Sequence, residues 1–143
     1  MYIRLISKGV YTYLLHKGFM NGRKTDITIP AWVIQNRVYM LNFLRGYIDT
    51  DGSIHFRGNY PIISFSSKSE QLIKPIFDFV KNQGFSISNY YKEQQTDKRN
   101  NKLSICYSIK INGKNNLQLW KKLIYFKNSR HLKKVVGNGD AGI

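Results

Sequence analysis

Two carboxylates, Asp49 and Asp51, stand where an apolar helix is predicted to end. The apolar residues from Leu41 to Ile48 recur at helical spacing, and Gly52 is of the type that commonly follows a helix. Because the carboxyl end of a helix carries about half an elementary negative charge, two carboxylates there need a cation to offset them. A divalent metal ion is the natural candidate, and metal ions held by carboxylates activate water for hydrolysis.

The Asp-Thr-Asp-Gly turn also has simpler interpretations, because a short D-x-D-G pattern more often marks an ordinary turn or a calcium loop. The spacing of an EF-hand is absent, since Gly52 comes too early and no glutamate closes a loop. Gly46 and Thr50 lie one turn apart on another face of the same helix and are small enough for a second helix to approach. The competing interpretation is that Gly46 packs against its own core.

The charge of the chain points to a polyanionic partner. Its 143 residues suit one domain, and 23 Lys and Arg against 8 Asp and Glu give a formal net charge of +15. Nucleic acid is favoured over a membrane, because there is no apolar run of spanning length and no basic amphipathic helix. The alternative is a compositional bias, since Lys, Asn, Ile and Tyr are all abundant in the way that AT-rich coding sequence produces.

Several kinds of site are excluded by the residues present. One cysteine, Cys106, rules out a disulfide framework and a thiolate zinc site within one chain. His16, His55 and His131 show no metal-ligand spacing, which also excludes an HNH nuclease site, and no acid is followed two residues later by lysine, as a PD-(D/E)xK nuclease requires. The N-terminus lacks the pattern of a signal peptide, so an intracellular location is expected.

The order of predicted elements is helix, strand, strand, helix, strand, strand, helix. This order predicts an α+β fold in which one antiparallel sheet carries helices on a single face and leaves its other face polar and cationic. A capping box is expected over Ser67–Glu70. The predicted strands are Ser53–Arg57, Pro61–Ser67, Phe85–Tyr91 and Leu103–Asn112.

Three segments are expected along the chain. Residues 1–35 form an N-terminal extension with a strand at Tyr2–Ile6, a helix at Ser7–Lys17 and a basic turn. Residues 36–134 form the core domain, with Asn36 as the cap of the helix that ends in the two aspartates. Residues 135–143 are expected to be a flexible tail.

The stretch from Leu44 to Gly52 resembles the signature helix of the LAGLIDADG homing endonucleases. The positions that match are Gly46, Ile48, Asp49, Asp51 and Gly52, whereas Arg45, Tyr47 and Thr50 depart from the nominal letters. The resemblance implies the family's αββαββα fold, whose saddle-shaped sheet lies along the DNA major groove. Only one signature is present, so both a single-motif protein with an N-terminal extension and the second half of a two-motif enzyme remain open.

The resemblance also implies an activity, namely site-specific cleavage of both DNA strands with Mg²⁺ or Mn²⁺, leaving short 3′ overhangs. Asp51 is implied as the catalytic metal ligand, with the backbone carbonyl of Thr50 as a weaker ligand and Asp49 as a stabiliser of the paired helices. One such carboxylate per chain is too little for two metal ions. A homodimer is therefore expected, with Gly46, Asp49 and Thr50 in the helix-pair interface and a long pseudo-palindromic DNA target.

Polar and basic residues of the sheet are the candidates for contact with DNA. Lys110 is the first candidate for the catalytic basic residue near the scissile phosphate and Lys114 is the second, although a solvated lysine at a strand end is about equally plausible for either. The full set of expected DNA-binding residues is Ser53, His55, Arg57, Ser64, Ser66, Lys68, Ser108 and Lys114.

Two other classes of function remain open. The first is a non-catalytic nucleic-acid binder on the same fold, either an intron RNA maturase or a DNA-binding regulator. The second is a basic structural protein of a nucleoprotein particle, which predicts tight binding without sequence preference and with a steep dependence on salt. Cleavage of DNA with and without Mg²⁺ separates the enzyme from both.

Overall fold

The computed structural model describes residues 8–19 and 22–139, with side chains described as far as Gly137. The predicted strand at Tyr2–Ile6 and residues 140–143 therefore lie outside the described residues. The elements, in chain order, are α1 (Lys8–His16), α2 (Ala31–Ile34), α3 (Arg37–Thr50), β1 (Ser53–Arg57), β2 (Tyr60–Ser67), α4 (Glu70–Asn82), β3 (Tyr91–Thr96), β4 (Leu103–Asn112), α5 (Lys114–Leu123) and α6 (Ser129–Gly139).

The four strands form one antiparallel sheet in the order β1-β2-β4-β3. Helices α4 and α5 pack against β2 and β4, and α6 packs against β1. One set of alternating strand residues joins the helices in a single core, and its most buried members are Ile54, Ile63, Phe65, Ile109 and Ile111. The predicted α+β class, with the order of elements from α3 to α5, is confirmed.

Helix α3 begins and ends where its sequence indicates. The side chain of Asn36 accepts a hydrogen bond from the backbone N–H of Tyr39 (3.1 Å), a cap of a kind that contributes about 1 kcal/mol. At the other end, the N–H of Gly52 donates to the carbonyl of Tyr47 (3.2 Å). A Cβ atom at Gly52 would lie 2.8 Å from the Cα of Ile48, so this position requires glycine because of close packing.

The third strand lies later in the chain than predicted. The predicted strand at Phe85–Tyr91 is wrong, because β3 begins at Tyr91 and its polar residues pair with β4. Phe85 is buried against the ring of Trp120, with centroids 5.9 Å apart. The backbone of Ser86 exchanges hydrogen bonds with the side-chain amide of Asn116 (2.9 Å each). The apolar alternation of this segment thus reflects packing on the core and not pairing in the sheet.

The expected capping box before α4 is also wrong. The N-cap residue is Ser69, whose side chain makes no capping bond, and the backbone N–H of Ser69 donates to the hydroxyl of Ser67 (3.1 Å). Glu70 instead accepts a hydrogen bond from the hydroxyl of Tyr90 (2.8 Å). A tertiary contact has replaced the local one that the spacing suggested.

A flexible tail was expected from residue 135, but the chain is still helical there. Helix α6 continues to Gly139, and Val135 is buried. His131 and Val135 are one turn apart and both face the interior, while the ammonium of Lys134 donates to the carbonyl of Ile54 in β1 (3.1 Å). Residues 135–139 of the expected tail are therefore helical.

The N-terminal segment is joined to the core near its end. Ile29 and Val33 are buried in the core, although both belong to the expected extension. Trp32 stacks edge-on against Tyr39 of α3 at 5.5 Å between centroids. In contrast, α1 has no buried residue. Among the described residues, no helix has both the length and the apolar character needed to cross a membrane.

Candidate functional site

The carboxylate of Asp49 is held within its own chain. Its Oδ2 accepts a hydrogen bond from the backbone N–H of Lys127 (3.0 Å), and the side-chain amide of Asn128 donates to the Asp49 carbonyl (2.9 Å). Both residues immediately precede α6, and the N-terminus of a helix carries a partial positive charge. For Asp49, the place of the expected cation is thus taken by one backbone N–H group and the positive end of the α6 dipole. This intramolecular role differs from the predicted place of Asp49 in a helix-pair interface.

The carboxylate of Asp51 has the opposite surroundings. It is exposed and makes no hydrogen bond or ion pair with any residue in the described ranges. It opens into a cavity of about 540 Å³, which we call the Asp51 groove. The polar residues that line this groove with Asp51 are Lys24, Thr28, Tyr47, Ser66, Ser67 and Lys68, and the rest of the lining is apolar. Of the expected DNA-binding residues, the structure therefore brings Ser66 and Lys68 to Asp51.

Tyr47 fixes the wall of the groove. Its hydroxyl donates a hydrogen bond to the carbonyl of Ser66 (2.8 Å), joining α3 to the end of β2. Burial raises the pKa of Tyr47 to about 12, and the nearby Asp51 carboxylate acts in the same direction. The hydroxyl consequently keeps its proton, and this hydrogen bond, at neutral pH.

The face of the sheet opposite the core carries most of the predicted DNA-contact residues. Ser64 pairs with Ser53 on one side and with Lys110 on the other, and the hydroxyls of Ser53 and Ser64 are 3.0 Å apart. Ser66 pairs with Ser108 in the same way. His55 and Arg57 follow Ser53 along β1 at alternate positions and are exposed. The prediction that these residues share one face is confirmed.

Ser108 departs from this pattern in its accessibility. Its side chain is buried, and its hydroxyl has no hydrogen-bond partner among the described residues. Tyr91 of β3 pairs with Ser108, so its side chain lies beside Ser108 on the same face of the sheet. Ser108 is therefore on the predicted face but is not accessible in the way that a DNA-contact residue must be.

The two lysines predicted to act near the scissile phosphate lie together, away from Asp51. The ammonium of Lys110 is 3.3 Å from the carboxylate of Glu93 and 5.5 Å from the centre of the Tyr91 ring. Lys110 and Lys114 line a second cavity of about 530 Å³, and neither lines the Asp51 groove. Lys110 is two strands from Ser53, which at ordinary strand spacing is about 10 Å.

The sequence interpretation did not single out Lys127, which lies at the end of α3 although it does not line the Asp51 groove. Its backbone is bonded to Asp49 at the end of α3, and its side chain is exposed. Lys127 and Asp49 are 78 positions apart, so no local spacing connects them. The one available signal was a basic segment directly after the last core helix, and many lysines of this chain lie in such segments.

Gly46 does not pack against the core of its own domain. A Cβ atom built at Gly46 would meet no described atom within 4 Å, apart from the helix's own nearby backbone. Thr50, one turn later, is exposed, and its hydroxyl donates to the Gly46 carbonyl (3.0 Å). Tyr39 extends the same exposed stripe towards the start of α3. This face of α3 is open to a second helix.

Within the described residues, the end of α3 offers two oxygen donors that suit a metal ion. In the described ranges there is no group of three or more His, Cys, Asp or Glu side chains that could bind a metal ion. Asp51 supplies an exposed carboxylate, and the Thr50 carbonyl is one of the last carbonyls of α3, which have no partner within the helix. Oxygen ligands of these two kinds suit Mg²⁺. The donors fit the ion, provided that further ligands come from elsewhere.

Comparison with known proteins agrees with the architecture. The family model described as LAGLIDADG-like domain matches residues 39–125, which is more than half of the chain. The matched region includes both aspartates, all four described strands and helices α4 and α5. No curated protein matches the chain. The fold, the signature helix and the family model together show that this chain belongs to the LAGLIDADG homing endonuclease family.

Proposed function

We propose that this protein is a site-specific endonuclease that cuts both strands of DNA with Mg²⁺ or Mn²⁺. The observation that carries the proposal is the contrast between the two acids at the end of α3. One carboxylate oxygen of Asp49 accepts a backbone N–H inside the chain and the other is buried without a partner among the described residues. Asp51, in contrast, is exposed, without a partner among the described residues, and lies in a groove with Lys24 and Lys68. An exposed acid in a groove that two lysines also line, in a chain of charge +15, suits a phosphodiester bound through metal.

The open face of the sheet is the proposed surface for double-stranded DNA. Arg57 and His55 are exposed on β1, and Ser64 lies beside them on β2. An arginine that binds guanine through two hydrogen bonds discriminates by about 1–3 kcal/mol, so Arg57 is the strongest candidate for reading sequence. The lysines around the face, among them Lys68, Lys110 and Lys114, contact phosphates and contribute affinity that falls with salt.

A second copy of the chain completes the site in this proposal. The open stripe of Gly46 and Thr50 lets two α3 helices cross closely about a two-fold axis. The same contact brings the two Asp51 carboxylates together, one for each DNA strand. A two-fold enzyme of this kind recognises a pseudo-palindromic target.

The roles of the chain's own groups follow from their positions. The Asp51 carboxylate and the Thr50 carbonyl would hold a metal ion, which when bound would neutralise phosphate charge and make water a better nucleophile. The backbone of Lys127 is bonded at the end of α3, and its exposed side chain would place an ammonium group near the phosphate and offset charge that develops there. Tyr47 keeps β2 and its Ser66 carbonyl in a fixed position beside Asp51.

The test uses a library of duplex DNA with a randomised central segment, since the target is unknown. The full chain is incubated with the library and Mg²⁺, and the new DNA ends are sequenced. We expect ends with short 3′ overhangs at one related set of sequences for the wild-type chain and none for Asp51→Asn or with EDTA. Library DNA that stays intact, although the wild-type chain selects a sequence from it by binding, would overturn the proposal.

One observation favours a second function, a nucleic-acid binder that does not cut. The described part of a single chain offers one exposed acid at α3 and no cluster of metal ligands. An RNA maturase or a DNA-binding regulator on the same fold needs no more than this. Selection of a structured RNA or a DNA sequence without cleavage, with equal affinity for wild type and Asp51→Asn, would identify this function.

A further inference from the structure

The loop between α5 and α6, residues Ile124–Asn128, is held at almost every position. The backbone N–H groups of Ile124 and Tyr125 both donate to the carbonyl of Trp120 (2.8 and 2.7 Å). Phe126 is buried, and its ring stacks on Trp120. Tyr125 has a φ of 51°, in the left-handed region that a bulky residue rarely adopts. Strain of this kind persists only where the surrounding contacts enforce it.

Arg45 of α3 holds the first half of this loop. Its Nε donates to the carbonyl of Ile124 (2.6 Å), and its guanidinium lies 3.7 Å from the centre of the Tyr125 ring. A third contact, from Nη1 to the side chain of Asn42 (2.8 Å), fixes the guanidinium plane. One planar group thus restrains two successive loop residues, including the strained one.

Asp49, one turn after Arg45 on α3, holds the second half. Its carboxylate accepts the N–H of Lys127 and its carbonyl accepts the amide of Asn128 (3.0 and 2.9 Å). The oxygen of the same Asn128 amide accepts the N–H of Arg130 (2.9 Å), at the start of α6. Asn128 consequently links the end of α3 to the beginning of α6.

These contacts fix the backbone of Lys127 but do not involve its side chain. The side chain is exposed and forms no hydrogen bond or ion pair with the described residues, although the residues on either side of it are buried or bonded. The held loop thus sets the point from which the Lys127 side chain extends, next to the end of the helix that leads to Asp51.

We propose that Arg45 and Asp49 are positioning residues that act through Lys127. The inference rests on the proposed nuclease function and deepens it. Arg45 and Asp49 set where the Lys127 ammonium lies relative to the phosphate at Asp51. Misplacement of a reacting group by about 1 Å can lower a rate by about a hundredfold. Loss of the contacts that Arg45 and Asp49 make with the loop should therefore lower kcat while DNA binding is kept.

The experiment is a double-mutant cycle on the full chain with the DNA target selected from the library. Single-turnover cleavage rates at saturating DNA and DNA affinities are measured for wild type, Arg45→Met, Lys127→Ala and the double variant. Thermal unfolding shows that each variant is folded at the assay temperature. Arg45→Lys keeps the charge but loses the planar contacts, and it replaces Arg45→Met should that variant fail to fold.

Arg37→Met is the matched control. Arg37 is on the same helix and donates to the side chain of Gln83 (2.8 Å), so its loss also removes one arginine contact, but away from the loop. We expect Arg45→Met to lower the cleavage rate by about 10- to 100-fold with affinity within about threefold of wild type. In the Lys127→Ala background the same change should cost less than about threefold, and Arg37→Met should leave the rate unchanged.

The outcomes separate the two proposals. Equal losses from Arg45→Met in both backgrounds, or a loss confined to unfolding temperature, overturn the positioning role while the nuclease stands. Absence of cleavage by the wild-type chain overturns the nuclease, and the positioning role with it.

Discussion

Asp49 and Asp51 are two residues apart at one helix end, yet their surroundings are opposite. The Asp49 carboxylate accepts a backbone N–H at the start of α6, whereas the Asp51 carboxylate is exposed in a groove with Lys24 and Lys68. Two acids at the carboxyl end of a helix require compensation, and the protein compensates one of them internally. The comparison shows that adjacent acids of a motif can have different surroundings, one bonded within the fold and the other exposed.

The largest effect should come from removing the available acid. A bound metal ion contributes several kcal/mol of transition-state stabilisation, and 1.4 kcal/mol is about tenfold in rate. We therefore expect Asp51→Asn to lower the single-turnover cleavage rate by about a thousandfold or more. Because the Asp51 side chain makes no hydrogen bond to the described residues, the free energy of unfolding of Asp51→Asn should stay within about 0.5 kcal/mol of wild type.

Removing the internal acid should instead destabilise the fold. Asp49→Ala loses a hydrogen bond to a charged acceptor, which is typically worth about 1.5–3 kcal/mol, and we expect a loss of that size in urea unfolding. Asp78→Ala is the control, because the exposed Asp78–Lys74 pair on α4 (3.0 Å) should contribute only about 0.3–0.5 kcal/mol. Equal losses of unfolding free energy in Asp49→Ala and Asp78→Ala would show that Asp49 has no special role in holding the fold together.

The stability of the fold should also depend on pH, because His131 is buried on the side of α3 that holds Asp49. Burial lowers the pKa of His131, and the Arg130 guanidinium acts in the same direction, whereas the Asp49 carboxylate opposes both. In the unfolded chain a histidine titrates near its ordinary value of about 6.5. Below that pH the unfolded state binds a proton that the folded state resists, so stability is complete above about 6.5 and falls as the solution is acidified.

We expect this contribution to reach at most about 1.4 kcal/mol per pH unit below pH 6.5. His131→Phe, which can still pack against Phe126, should flatten the dependence between about pH 5 and 6.5 in urea unfolding series. His55→Phe, at an exposed position of β1, is the control and should leave the slope as it is. An unchanged slope in His131→Phe would place the proton uptake elsewhere.

The smallest expected effect lies on the open side of α3. Gly46→Ala should stabilise the dilute chain by about 0.5–1 kcal/mol, because alanine is the better helix former and its Cβ would meet no described atom. The same change should weaken self-association, measured by sedimentation equilibrium. Gly52→Ala is the contrast and should destabilise, since a Cβ there would clash with Ile48. Stabilisation with unchanged association would show that Gly46 is not at an interface.

The sequence was sufficient for the features that depend on local spacing. The bounds of α3 and the core positions of the strands follow from helical period, strand alternation and turn residues. The partner of Asp49 does not, because Lys127 is 78 positions away and only the folded chain brings them together. At Phe85–Tyr91 the alternation was real but arose from packing against Trp120, which a pattern cannot distinguish from a strand.

Cleavage of the randomised DNA library by wild type, Asp51→Asn and Asp49→Asn in Mg²⁺, with each protein shown to be folded, tests the central claim most directly. New ends with a common sequence should come from the wild-type chain and, at a reduced rate, from Asp49→Asn, with none from Asp51→Asn. Ends produced equally by Asp51→Asn and the wild-type chain would contradict the account.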